Sequence, residues 1–227
     1  MSNIALLVLE NPWETPKGNP KRHSVLPFLQ GLEKLHPKLT LYYSTFYEKH
    51  GFRAALENDL TETKEDRQIL YIGSHGLGKR IANMTLKSAI EAIRDHHHQI
   101  EGVLLSSCEV GRDEEAIREL LIGTNIRWVI GYNCSINWFE SSLIDLALLH
   151  ALVALRKSAL DNETKLKDAI KEALSIFNQS FILGEDLKIK QSLEESLVAI
   201  IQTSGQGKRP KNITKDLFSW PSQIADN

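Results

Sequence analysis

The chain has 227 residues, 42% of them hydrophobic and 25% charged, with a formal net charge of −2. That length can bury a proper core in one generous domain, and the charge balance supplies no bulk field for nucleic acid or an anionic membrane. Two cysteines exclude a disulfide framework and a four-cysteine zinc site, and with no secretory leader legible they imply a reducing cytoplasm.

Residues 4–9 are a continuous apolar run, the pattern of a strand covered on both faces. Residues 11–21 are rich in Pro, Gly and Asn and read as a loop. Val25, Leu29, Leu32 and Leu35 have helical spacing that ends before Pro37. A Tyr- and Thr-rich strand is expected over 39–46 and a short helix over 51–60. A strand over 69–73 leads to His75, with a helix over 85–94 behind it. A strand over 103–106 leads to Cys108, with a helix over 114–121, and a strand over 127–132 ends at Asn133 and Cys134. Beyond Trp138, helical periodicity is read over 139–156, 164–181 and 191–202. Asp145 and His150 interrupt the first of these helices, which is too short for a membrane span. Residues 203–212 read as a flexible basic loop and 213–220 as a final edge strand. Strands alternating with helices imply right-handed crossovers and an α/β fold, a mostly parallel sheet with helices on both faces. One domain over 1–227 is expected, with 139–227 a mainly helical C-terminal part.

Two of these strands end on reactive side chains: Gln68-Ile-Leu-Tyr-Ile-Gly-Ser-His75-Gly76 and Gly102-Val-Leu-Leu-Ser-Ser-Cys108-Glu-Val-Gly111. Carboxyl ends of parallel strands share one edge, where such folds bind ligands. A thiol is a modest nucleophile until a base or a positive dipole raises its thiolate fraction, and Cys108, between a strand and a helix, is placed for both. The N–H groups of Gly76 and Cys108 are candidates for an oxyanion site. Taken singly, a strand-end cysteine or histidine is more often structural; their joint occurrence on strands linked by one crossover favours a Cys-His dyad.

Gly-Ser-His75-Gly76 followed by Leu-Ser-Ser-Cys108-Glu-Val-Gly111 resembles the His-Gly and Ser-Ala-Cys-Glu-Thr-Gly signatures of CHAT peptidases, a branch of the caspase-like cysteine peptidases related to separases and metacaspases. The resemblance covers residues 68–156 well and the N-terminal strand–helix–strand loosely. It implies a caspase-like three-layer sandwich in which His75 is the general base, Cys108 the nucleophile, and the Gly76 and Cys108 N–H groups hold the oxyanion. It also implies cleavage of protein substrates without metal or organic cofactor, and bacterial relatives that are switched on by partner proteins in antiviral defence or programmed death. Many metacaspases carry an acid two places before the cysteine to hold a basic P1 side chain; Ser106 stands there in this chain. Glu10, at the end of the first strand, lies where related enzymes place an S1 acid. It reads equally well as a solvated loop carboxylate.

Other signals point elsewhere. Gly73-Ser-His-Gly-Leu-Gly78-Lys79 nearly matches a phosphate-cradling loop, but Arg80 replaces the hydroxyl residue that would ligate magnesium. A catalytically silent binding module and a nucleotide-binding protein using this loop are the alternatives. Consecutive residues on a helix point about 100° apart, so His96, His97 and His98 do not converge on one ion. Cys134 reads as a buried thiol, or as a disulfide partner that would silence Cys108. The basic loop 205–211 is a candidate self-processing site. Trp13, Trp128, Trp138 and Trp220 read as core, with Trp138 and Trp220 as candidate cleft walls.

Overall fold

The structure, a computed structural model, describes residues 3–12, 23–60, 62–96, 99–203 and 208–219. Strand β1 (Ile4–Glu10) is buried throughout, as its unbroken apolar run requires. Helix α1 (Leu26–Leu35) carries a proline in its first turn, where a missing N–H costs little, and buries Leu29 and Leu32. After β2 (Leu39–Thr45), helix α2 (Lys49–Ala54) starts on the Glu48 carboxylate, which accepts the His50 and Gly51 N–H groups, and passes into a π-helical turn over Ala55–Leu60. Strand β3 (Arg67–Ser74) runs into a small meander of β4 (Gly76–Leu77), β5 (Arg80–Ile81) and β6 (Met84–Thr85). Helix α3 (Leu86–Asp95), capped by Thr85, leads to β7 (Ile100–Ser107), and α4 (Glu114–Leu121), capped by Asp113, leads to β8 (Trp128–Tyr132). Then come β9 (Ser135–Ile136), α5 (Trp138–Ala154), α6 (Lys157–Leu160) and α7 (Glu163–Leu174). The chain continues through β10 (Ile182–Asp186), β11 (Ile189–Ser192), α8 (Leu193–Ser196), β12 (Leu197–Ile201), β13 (Lys211–Asn212) and α9 (Thr214–Phe218).

Among the described residues, seven strands form one sheet in the order β13-β12-β8-β7-β3-β1-β2. Strands β2, β1, β3, β7 and β8 are mutually parallel. Strand β12 runs antiparallel to β8, and β13 antiparallel to β12. One apolar layer joins the sheet to α1, α5, α7 and α9; the other joins it to α2, the π turn, α3 and α4. Each buried Leu or Ile in these layers stabilises the fold by about 1.5–3 kcal/mol relative to exposure. This is the mostly parallel α/β sandwich expected from the alternation of elements.

The C-terminal part departs from expectation. Residues 191–202 were expected as a helix, yet they supply the end of β11, the four-residue α8 and all of β12. Their apolar positions fit either period, and the outer edge of β8 needs a partner for its backbone groups. The edge strand expected over 213–220 is instead Lys211–Asn212, followed by α9, with Trp220 outside the described residues. The helix expected to 181 stops at Leu174.

Candidate active site

Strands β3 and β7 are neighbours, paired from Ile69↔Gly102 to Ser74↔Ser107. His75 and Cys108 therefore each follow the last paired residue of adjacent parallel strands. The Ser74 and Ser107 hydroxyls meet at 2.8 Å and tie the two ends together. Gly76 presses onto the Cys108 backbone: a Cβ there would lie 2.0 Å from the Cys108 carbonyl oxygen and 2.9 Å from its nitrogen. Only glycine permits that approach. The His75 carbonyl accepts the Ala82 N–H at 2.7 Å, which anchors this residue to the meander; its side chain is exposed.

The Cys108 thiol is half-buried. The Ile136 N–H donates to Sγ at 3.4 Å, and the N–H groups of Gly76 and Cys108 itself also favour its anion. Burial outweighs them and pushes the thiol pKa up, helped by the adjacent Glu109 charge. Glu109 adopts φ 63°, the left-handed region that non-glycine residues rarely occupy. Its N–H donates to the Cys134 carbonyl at 3.0 Å, and its Oε2 accepts the Gly78 N–H at 3.0 Å. Glu109 therefore couples the cysteine turn to the meander behind His75. The sequence reading assigns it no role, because residue identity gives no sign of the positive φ.

Glu10, Gly73 and Ser106 stand opposite one another across β1, β3 and β7. Their i−2 neighbours Val8, Tyr71 and Leu104 belong to the α1–α5 layer, so this row faces the same side. Glu10 is 2% exposed. Its Oε1 accepts the Val25 N–H at 2.9 Å, and its Oε2 accepts the Ser24 hydroxyl at 2.6 Å and the Tyr43 hydroxyl at 2.7 Å. This corrects the reading of Glu10 as a solvated loop carboxylate: it is a buried group at the end of β1 whose carboxylate is held by the residues just before α1. Burial, aided by that carboxylate, holds the Tyr43 phenol well above its ordinary pKa. Ser106 is buried too and donates to Asp145 Oδ2 at 2.6 Å. Asp145 also accepts the Tyr71 hydroxyl at 3.0 Å and the Tyr132 hydroxyl at 2.5 Å, and burial pushes its pKa up to about 6.

The loop Gly73 to Lys79 takes the form of a strand end and a meander. Its first residues complete β3, Gly76 and Leu77 form β4, and the Lys79 carbonyl already accepts the N–H of Leu86, the first residue of α3, at 2.8 Å. Cys134 is buried, donates to the Ser196 hydroxyl at 3.2 Å and, like Cys108, is a free thiol. Trp138 opens α5, its ring 5.7 Å from those of His23 and Phe28; Trp128 is core. Of the basic loop 205–211, residues 208–211 are described and 205–207 are not, as is true of Trp13, His97 and His98. No helix among the described residues is long and apolar enough to cross a membrane.

No family model matches this chain, and no curated protein does. Solved structures do. An inactive zymogen C11 protease from Parabacteroides distasonis is 10% identical over 88% of this chain and 62% of its own, with a TM-score of 0.51. A secreted C11 cysteine protease from Bacteroides thetaiotaomicron, in complex with an irreversible peptide inhibitor, is 11% identical over 87% of this chain and 65% of its own, with a TM-score of 0.49. This chain thus spans less than two thirds of the length of either. At such identities the likeness speaks for the fold: the chain has the caspase-like α/β fold of the zymogen C11 protease.

Proposed function

We propose that this chain is a cysteine endopeptidase that cleaves protein substrates through a Cys108–His75 dyad. The observation that carries the reading is the close apposition of the two strand ends, with Gly76 packed against the Cys108 backbone and three N–H groups favouring the Sγ anion. His75 takes the thiol proton, and Cys108 attacks the scissile carbonyl. The Gly76 and Cys108 N–H groups hold the oxyanion. His75 then returns the proton to the leaving amine and activates the water that releases the acyl group. The motif likeness to CHAT peptidases supports the same roles. Neither metal nor organic cofactor takes part.

The P1 side chain is basic in this reading and lies against the row of Glu10, Gly73 and Ser106. The Tyr43 and Ser106 hydroxyl protons are committed to buried carboxylates, so the row offers oxygen lone pairs to a cationic group. Glu10 is already engaged, so a P1 cation competes there with the Val25 N–H and the Ser24 and Tyr43 hydroxyls. The raised thiol pKa fits a latent enzyme that an activating partner protein or bound substrate turns on, in a cytoplasmic antiviral or cell-death response. No nucleic acid or membrane contact is part of this function.

Electrophilic peptide probes with basic, acidic and apolar P1 groups test it. Labelling is expected at Cys108, strongest with a basic P1, and reduced about a hundredfold or more in His75→Ala. Labelling that survives His75→Ala unchanged overturns the dyad. Selective labelling by acidic or apolar probes overturns the P1 assignment alone.

A further inference from the structure

Helix α5 crosses one face of the sheet as a mainly apolar element, yet Asp145 sits on its buried side at 1% exposure. A carboxyl group there carries a desolvation cost that an apolar side chain of similar size would avoid. Its oxygens gather three hydroxyls from three adjacent strands: Tyr71 from β3, Ser106 from β7 and Tyr132 from β8. Two of those strands lead to the dyad residues, and the third leads to backbone groups that hold the cysteine turn. Tyr71 lies four residues before His75, and Ser106 lies two before Cys108. Tyr132 lies two residues before Cys134, whose carbonyl holds the Glu109 N–H, and four before Ile136, whose N–H meets Sγ. Base, nucleophile and a backbone donor to the thiol are thus all fastened, a few residues upstream, to one side chain. On the other side, the neutral Ser74–Ser107 hydrogen bond ties β3 to β7 near their ends.

We infer that Asp145 is a positioning residue for the Cys108–His75 pair, setting the relative height of the three strand ends by holding Tyr71, Ser106 and Tyr132 together. The inference rests on the dyad proposed above. Misplacement of a reacting group by about 1 Å can cost on the order of a hundredfold in rate, and strand ends joined through one carboxylate move together or not at all.

The test is a double-mutant cycle read as the alkylation rate of Cys108 by iodoacetamide, with the modified residue identified by peptide mapping. It needs neither a peptide substrate nor an activating partner. Asp145→Asn keeps the size of the side chain but turns one acceptor oxygen into a donor, so at least one hydroxyl loses its acceptor. His75→Ala is expected to slow alkylation about tenfold or more when Asp145 is present, and by less than about threefold beside Asp145→Asn, because the pair is already misaligned. Asp145→Asn alone is expected to slow it about tenfold while retaining a cooperative thermal transition. Should that variant fail to fold, Tyr132→Phe, which removes one hydroxyl and buries no amide, runs the same cycle and is expected to weaken the His75 effect about threefold. An equal His75→Ala effect in both backgrounds overturns the positioning role and leaves the dyad standing. No His75→Ala effect in any background overturns the dyad, and the positioning role falls with it.

Discussion

At Cys108 two opposed forces meet, and their balance sets when the thiol reacts. Three backbone N–H groups favour the thiolate, while burial and the Glu109 charge oppose it, and the opposition prevails. A thiol pushed up from its ordinary value forms thiolate later as pH rises, so the alkylation midpoint of Cys108 should lie above that of an ordinary cysteine. Glu109→Gln keeps an oxygen to accept the Gly78 N–H but removes the neighbouring charge. Its effect has a definite sign: with the negative charge gone, the thiolate forms at lower pH, and the midpoint should fall. A midpoint that stays put or rises would mean that Glu109 acts on the thiol only through the turn it holds.

The elements carry that balance because β3 and β7 end side by side, and Gly76 is where their ends touch. Gly76→Ala would drive a Cβ to 2.0 Å from the Cys108 carbonyl oxygen, so one strand end must shift. Peptide cleavage is expected to fall about a hundredfold, with stability reduced by about 1–3 kcal/mol as measured by denaturant unfolding. Retained cleavage in that variant would show the two ends to be pliant. Both strands are legible in the sequence, since each apolar run stops at residues with distinct chemistry, Ser-His75-Gly76 and Ser-Cys108-Glu109. The meander behind His75 is not: its strands are two residues long and carry no period. Nor is β12, whose Leu197 and Ile200 continue a helical spacing that starts at Leu193 in α8. Asp145 shows in the sequence only as a break in an apolar helix. Its three partners come from strands whose order no local spacing encodes, and Glu109 depends on a backbone angle its identity does not announce.

For the whole molecule, the gathering of three strands on one carboxyl group makes stability depend on pH in an unusual direction. Burial holds the Asp145 pKa up at about 6, against 3.8 when the group is free. The folded state therefore keeps this proton more tightly than the unfolded state. The resulting stabilisation is complete below pH 3.8 and declines as pH rises through 6, where the buried group ionises. The ionised form is then held by hydroxyls alone: Tyr71, Ser106 and Tyr132 touch it, with Tyr71 and Tyr132 themselves pushed well above their ordinary range, and Glu10 adds like charge beside Tyr71. Most acids in folded proteins do the opposite, losing stability on protonation because their charged forms are paired. Asp145→Asn removes the ionisation along with its cost. Unfolding in denaturant at pH 4 and pH 7 isolates the effect: the difference in stability between Asp145→Asn and the parent should move in favour of the asparagine variant at pH 7, by on the order of 2–3 kcal/mol. A difference that is the same at both pH values, or that moves toward the parent at pH 7, would mean that the three hydroxyls stabilise the carboxylate as well as water does. The clamp on the three strands would then cost the fold nothing.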